Sequence, residues 1–160
     1  MEDMKKFVSW RGNFRRSIDS ILAEYAPSGT EYDAALSEMS SHFWKRFGSS
    51  ETIKDSHDVM FFEQVAQHAL TCVAIYTGKE PHKLSEACFE LGVRKNRDYG
   101  SDNLLRYDTI GIVVRISDKL SRVNNLRGRA PEVAESVEDT LMDIFNYAVY
   151  AYMLSQEIWY

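Results

Sequence analysis

The sequence has few residues that break helices and few that cross-link a chain. Only three prolines occur in 160 residues, Pro27, Pro81 and Pro131, and each lies in a turn-like cluster. The long stretches between them are therefore free to form helices. The two cysteines, Cys72 and Cys88, lie in apolar helical contexts without Cys-x-x-Cys spacing. This predicts buried, reduced thiols, with a disulfide between them as the alternative.

The chain also lacks the patterns of membrane, secreted and nucleic-acid-binding proteins. No run reaches the roughly 18 apolar residues of a membrane span, and the opening stretch MEDMKKFVSWRGNF has no apolar signal-peptide core. The net charge of −5 gives no strong signal for nucleic-acid binding. No Gly-rich phosphate loop and no Ser/His/Asp arrangement is evident. We expect a cytoplasmic protein, in the cytoplasm of an infected host if the chain is viral.

Helical periodicity runs along most of the chain. With 44% hydrophobic and 12% aromatic residues, the composition is that of a globular protein able to bury a core. Apolar residues recur three and four positions apart, whereas strand-like alternation is hard to find. We therefore predict a single all-α domain, 1–160, built as a bundle of about six helices. The predicted helices cover 3–25, 30–47, from a cap at Asp55 or Ser56 to 76, 81–95, 108–125, and from 131 to near the C-terminus, with a loop at 96–103.

A column of polar residues interrupts the apolar C-terminal stretch ESVEDTLMDIFNYAVYAYM, residues 135–153. At about 100° per residue, Glu135, Asp139, Asp143 and Asn146 fall within roughly 80° of one another on a helix. A buried carboxylate must be neutralised, paired or bound to a metal. The column is therefore a solvated helix face, a cation site or a set of partners for basic side chains.

A second charged stripe lies on the preceding helix, in TIGIVVRISDKLSRVNNL. Arg115, Asp118, Lys119 and Arg122 share one face within about 100°, and a short connection makes the two helices antiparallel neighbours. Either these cations pair with the carboxylates in a structural network, or the carboxylates hold Mg²⁺ while the cations bind phosphate groups. The spacing alone leaves both interpretations open.

Several separated motifs in the C-terminal half resemble the nucleotide modification associated domain 1 family, which is common in bacteriophages. The resemblance covers about residues 84–155, and nothing comparable marks residues 1–80. The matching positions are Lys95, Asp98-Tyr99-Gly100, Gly111, Arg115, Asp118-Lys119, Arg122, Asn125-Leu126, Glu135, Asp139-Thr140, Asp143 and Asn146-Tyr147-Ala148.

That family is similar to the MazG-like and dimeric dUTPase group of all-α nucleoside triphosphate pyrophosphohydrolases. The resemblance implies a core of that type in residues 81–160, Mg²⁺ as cofactor, a nucleotide ligand and a homo-oligomer. It implies cleavage of a (deoxy)nucleoside triphosphate, or a related nucleotide, in phage nucleotide metabolism. The chain departs from the group because it has no EExxE, and because Asp139 and Asp143 are four rather than three positions apart. A module that binds a nucleotide without hydrolysing it is the alternative.

The resemblance and the two stripes together predict a set of site residues. We predict Asp139 and Asp143 as metal ligands, with Asp118 or Glu135 completing the set, and Asp118, Asp139 and Asp143 as the catalytic acids. The predicted nucleotide-binding residues are Lys95, Asp98, Tyr99, Arg115, Lys119, Arg122 and Asn146. Four carboxylates gathered in one pocket would favour catalysis, whereas an excess of basic residues would favour binding.

Two further patterns in the sequence contain residue types that bind metal ions. Glu86 and Glu90 share a helix face and offer a further ligand, with a solvated face as the simpler interpretation. The dipeptide His57-Asp58, with His42 upstream, is the kind of pattern used by metal phosphohydrolases with separated His and Asp ligands, but the spacing is short.

Overall fold

The computed structural model describes residues 1–54 and 56–160, which form six α-helices and no strand. The all-α bundle predicted from periodicity is therefore confirmed. None of the described helices is long and apolar enough to cross a membrane. The helices are α1 (Glu2–Ala23), α2 (Tyr32–Phe47), α3 (Val59–Thr77), α4 (Pro81–Tyr99), α5 (Asp108–Asn125) and α6 (Val137–Ser155), with single 3₁₀ turns at Thr52–Lys54 and Asn103–Leu105.

Helix α6 is the centre of the bundle. It packs most extensively against α3 and then against α5, and it also contacts α1 and α4. Its apolar residues Ile144, Phe145 and Val149 are fully buried, as expected for a helix that is apolar on most of its circumference. Cys72 and Cys88 are buried and free, which confirms the prediction of unpaired thiols.

The start of α3 differs from the prediction by a few residues. Asp58 is the N-cap, and its side-chain Oδ1 accepts a hydrogen bond from the backbone N–H of Phe61 at 3.1 Å. The Ser56 hydroxyl, proposed as the cap, instead shares a hydrogen bond with the Thr109 hydroxyl at the start of α5. The other proposed cap, Asp55, lies outside the described residues.

The boundaries of α4 and α6 also move, and both shifts affect the site. The predicted loop at 96–103 is wrong for its first four positions, because α4 continues to Tyr99 and stops at Gly100, whose φ of 84° suits glycine. Helix α6 starts at Val137 rather than near 131, because the Ser136 hydroxyl caps it by accepting from the N–H of Asp139 at 3.0 Å. Glu135 therefore precedes the helix.

Three helices meet closely at Gly92 of α4. A methyl group at this position would lie 2.6 Å from the Phe14 ring of α1 and 2.6 Å from the hydroxyl of Tyr150 on α6. Both neighbours are buried aromatic side chains, so neither has room to move away. The absence of a side chain at Gly92 sets how closely α1, α4 and α6 approach.

Replacing Gly92 with alanine tests this close approach. We expect Gly92→Ala to lower the free energy of unfolding by about 1–3 kcal/mol, because overpacking strains the aromatic contacts. Gly12→Ala, also in a helix, is the matched control. Its added methyl group meets only the end of Arg16 at 3.4 Å, so it should stabilise the helix by about 0.5–1 kcal/mol. Urea unfolding measures both; equal effects would contradict the assigned contact.

Candidate functional site

A cleft of about 500 Å³ opens between the second half of α4, the turn at Asn103–Leu105, α5 and α6. Its volume lies within the range of small-molecule sites. Charged residues and aromatic or amide residues both contribute to its wall. The lining residues are Trp10, Lys95, Asn96, Tyr99, Asn103, Leu104, Arg115, Lys119, Glu135, Asp143, Asn146, Tyr147 and Tyr150.

Asp143 is the buried carboxylate of the cleft, with only 4% of the residue exposed. Lys95 of α4 donates to its Oδ1 at 2.7 Å, and the Nζ of Lys119 on α5 lies 3.2 Å from its Oδ2. Both oxygens therefore face an ammonium group. This arrangement supplies the pairing that a buried carboxylate requires.

Glu135 extends the same network from the segment before α6. Lys119 donates to its Oε1 at 3.0 Å, and the Thr140 hydroxyl donates to its Oε2 at 3.0 Å. Arg122 lies 3.5 Å from that Oε2 and also donates to the backbone carbonyl of Glu135. Lys119 thus binds both carboxylates, and Arg122 contacts both the carboxylate and the backbone carbonyl of Glu135.

The ionisation of Lys119 and Glu135 follows from this pairing. Burial acts to lower the pKa of Lys119, but its hydrogen bond to Glu135 and the charges of Asp143 and Glu135 outweigh it and raise the pKa. Burial acts to raise the pKa of Glu135, but the Lys119 ammonium outweighs it and lowers the pKa. Both residues are therefore held in their charged forms.

Arg115 stands apart from the other cations of the cleft. Within the described residues its side chain has no carboxylate partner and no hydrogen bond; its guanidinium carbon lies 5.9 Å from the centre of the Tyr147 ring. The lining from the described chain therefore contains three cations, Lys95, Arg115 and Lys119, against the carboxylates of Glu135 and Asp143. The cleft has a net positive lining although the whole chain is acidic.

Buried polar atoms without partners lie in the wall around Asn146. Its Nδ2 donates to the backbone carbonyl of Cys88 at 2.9 Å, so its Oδ1 points elsewhere and finds no partner among the described residues. The indole N–H of Trp10, on α1, is also buried and unpartnered within that same part of the chain. An unsatisfied buried group costs about 1–3 kcal/mol, a cost that a hydrogen bond from a ligand or an ordered water would relieve.

The C-terminal segment supports the rim of the cleft. The indole N–H of Trp159 donates to the backbone carbonyl of Ser101 at 2.8 Å. Its ring packs against Trp10 and Tyr150, with ring centres 6.0 Å and 5.6 Å away. The Ser101 loop leads into the turn that carries Asn103, so Trp159 holds one wall of the cleft in place.

The structure brings most of the predicted site residues together. Those lining the cleft are Lys95, Tyr99, Arg115, Lys119, Glu135, Asp143 and Asn146. Asp98, Asp118 and Asp139 are exposed and do not line it. Arg122 does not line the cleft either; it donates to the backbone carbonyl of Glu135 and to the Thr140 hydroxyl.

The residues present do not fit the predicted Mg²⁺ site. Over residues 1–54 and 56–160, no group of three His, Cys, Asp or Glu side chains is placed to hold a metal ion. Asp118 and Asp139 point to solvent, and the oxygens of Asp143 and Glu135 are engaged by basic or hydroxyl groups. Mg²⁺ needs carboxylate oxygens that are free to coordinate it.

The other candidates for metal ligands have different partners or are exposed. Glu86 forms a two-pronged ion pair with Arg15 of α1, at 2.5 Å and 3.0 Å, and Glu90 is exposed. His57 bonds to Asp108 at 2.7 Å, while His42 stacks on a phenylalanine ring. None of these residues lines the cleft.

Sequence reasoning missed part of the aromatic and amide wall. Trp10 lies on an amphipathic N-terminal helix whose pattern cannot distinguish a core residue from a cleft residue. Asn96 and Asn103 belong to the predicted loop at 96–103, and Leu104 follows it directly. Of these residues, only Asn96 could have been predicted from the sequence, because it lies between Lys95 and Asp98-Tyr99-Gly100, which match the family motifs.

Fold and cleft together define an all-helical protein with a cation-rich, partly aromatic cleft. Residues 95–154 match the family model described as nucleotide modification associated domain 1, so this region is similar to that family, as the motifs predicted. No curated protein and no solved structure matches the chain. The similarity to MazG-like enzymes and the phage origin stay predictions.

Glu135→Gln tests the charged network through its pH dependence. Because the pKa of Glu135 is lowered by folding, its carboxylate contributes stability above the unfolded-state pKa of about 4.3, and that stability is lost as the pH falls through the folded-state pKa. We expect a loss of about 1 kcal/mol at neutral pH, modest because a third of the side chain is exposed.

Urea unfolding over a pH series measures the effect of this substitution. The difference between wild type and Glu135→Gln should disappear in acid, where the carboxylate is protonated in both folded and unfolded chains. Glu132→Gln, at an exposed position three residues earlier, is the control and should differ little from wild type. A difference that does not change with pH would contradict the pairing with Lys119.

Proposed function

We propose that the cleft binds a nucleotide through its phosphate groups. The observation that carries this proposal is the excess of cations over carboxylates, with Arg115 lacking any acidic partner in the described part of the chain. An unpaired guanidinium in a cleft suits a phosphate group, which it binds by two parallel hydrogen bonds. The excess of basic residues favours binding over catalysis.

The lysines retain donors for the same ligand. An ammonium group has three N–H donors; Lys95 uses one on Asp143, and Lys119 directs its donors at Asp143 and Glu135. Lys95 therefore has donors left at the cleft, and its side chain is 45% exposed. Arg115 and Lys95 are the primary phosphate contacts in this proposal, and Lys119 adds positive charge to the wall of the cleft.

The aromatic and amide wall suits the remainder of a nucleotide. Tyr99 is 72% exposed at the rim and offers a ring face for stacking against a base. Asn96 and Asn103 bring amide groups that can both donate and accept hydrogen bonds. The family similarity supports a nucleotide in particular, because every charged residue of the lining lies within residues 95–154.

Pyrophosphohydrolysis is the second candidate, and one observation favours it. Asp143 and Glu135 lie in the same cleft as the cations, so a nucleotide phosphate bound there would be near carboxylates. The resemblance to MazG-like enzymes supports cleavage of a (deoxy)nucleoside triphosphate. The predicted Mg²⁺ cofactor would have to displace lysine from Asp143, which is why we place this candidate second. The homo-oligomer and the cytoplasmic location stay predictions.

Arg115→Met tests the binding proposal. We expect the affinity for ATP, measured by isothermal titration calorimetry, to fall about 10- to 100-fold, because one charge-assisted phosphate contact is lost. Arg94→Met is the matched control, since Arg94 is exposed on α4 beside Lys95 but does not line the cleft. Equal affinities of the two variants would contradict the assignment.

Product analysis separates binding from hydrolysis. The protein is incubated with ATP and with deoxynucleoside triphosphates in the presence of Mg²⁺, and the nucleotides are resolved by anion-exchange chromatography. Recovery of intact nucleotide is the result expected of a binding module. Release of pyrophosphate and monophosphate, abolished by Asp143→Asn, would establish the second candidate instead.

A further inference from the structure

Lys119 lies where a bridging cation would lie. Its Nζ is 3.0 Å from Oε1 of Glu135 and 3.2 Å from Oδ2 of Asp143, so one ammonium group joins two carboxylates from different segments. A divalent ion in a carboxylate site makes the same kind of bridge. Here the positive charge belongs to the chain itself, on a helix that holds it in place.

We propose that the cleft takes its ligand without a divalent metal ion, because Lys119 fills the position that such an ion would occupy between Glu135 and Asp143. The part of this inference that concerns the ligand rests on the proposed function. The part that concerns the ion pair does not, because it can be tested on the protein alone.

The remaining carboxylate oxygens are engaged as well. Lys95 binds Oδ1 of Asp143 at 2.7 Å, and Thr140 donates to Oε2 of Glu135 at 3.0 Å with Arg122 close by. A metal entering this site would have to displace a basic or hydroxyl partner from each oxygen. The carboxylates therefore serve to orient the lysines and not to coordinate an ion.

This arrangement determines which ionic form of the ligand the cleft prefers. The lining from the described residues has three cations and two carboxylates, so it attracts an anion with many negative charges. A chelated divalent ion neutralises two of the negative charges of a nucleoside triphosphate. The complex is therefore attracted less strongly by the cations of the cleft. The free polyanion should bind at least as tightly as its Mg²⁺ complex.

The first experiment compares metal-free and metal-bound ligand. ATP and inorganic triphosphate are titrated into the protein by calorimetry, once in EDTA and once with excess Mg²⁺. We expect the affinity in EDTA to equal the affinity in Mg²⁺ within about threefold, or to exceed it. Binding that disappears in EDTA and returns with Mg²⁺ would overturn the proposal while leaving the proposed nucleotide binding intact.

The second experiment needs no nucleotide. Mn²⁺ is titrated into the protein alone, and binding is followed by loss of the free-ion electron paramagnetic resonance signal. We expect no Mn²⁺ site in the wild-type cleft. The double variant Lys95→Met/Lys119→Met, which frees oxygens of both carboxylates, should gain at least tenfold in Mn²⁺ affinity, and Lys83→Met, on the exposed side of α4, should gain none.

Each outcome of the Mn²⁺ titration bears on the proposal. A wild-type protein that binds Mn²⁺, and loses this binding in Asp143→Asn, would overturn it. So would a folded double variant that takes up no Mn²⁺. If the double variant does not fold, the wild-type titration and the Asp143→Asn comparison still decide. Failure of ATP and triphosphate to bind in either buffer would defeat the proposed function alone.

Discussion

A carboxylate buried inside a helical bundle is the constraint around which this structure is organised. Asp143 lies on the most buried helix, and burying its charge without partners would cost several kcal/mol. Two lysines from two other helices, Lys95 and Lys119, supply those partners. Because α4 and α5 must each bring a lysine to α6, the pairing sets how these helices are aligned. The cleft lies at the point where they meet.

The N-terminal half of the chain also contributes to the cleft and to its support. Residues 95–154 contain every charged group of the cleft, but α3 covers α6, and α1 brings Trp10 to the aromatic wall. Trp159 connects these parts, since its ring packs on Trp10 while its N–H holds the loop at Ser101. Residues without a recognised motif therefore help to shape the site.

The sequence predicted the fold class and the charged residues that line the cleft, and its errors have physical causes. Periodicity places helices reliably, but helix ends depend on capping side chains, so α6 begins at Val137, after the Ser136 cap, and not near Pro131. The two charged stripes do face each other, as antiparallel neighbours should. Periodicity cannot show how deep each stripe lies: Asp143 is buried, whereas Asp139, one turn earlier, is exposed. Spacing also could not decide whether lysine or metal neutralises the carboxylates.

The most direct test of the central claim is a crystal structure of the protein grown with ATP in EDTA. The account predicts phosphate oxygens within hydrogen-bonding distance of Arg115 and Lys95, with Lys119 still bridging Glu135 and Asp143. A nucleotide bound elsewhere, or Asp143 turned away from both lysines to face the solvent, would contradict it.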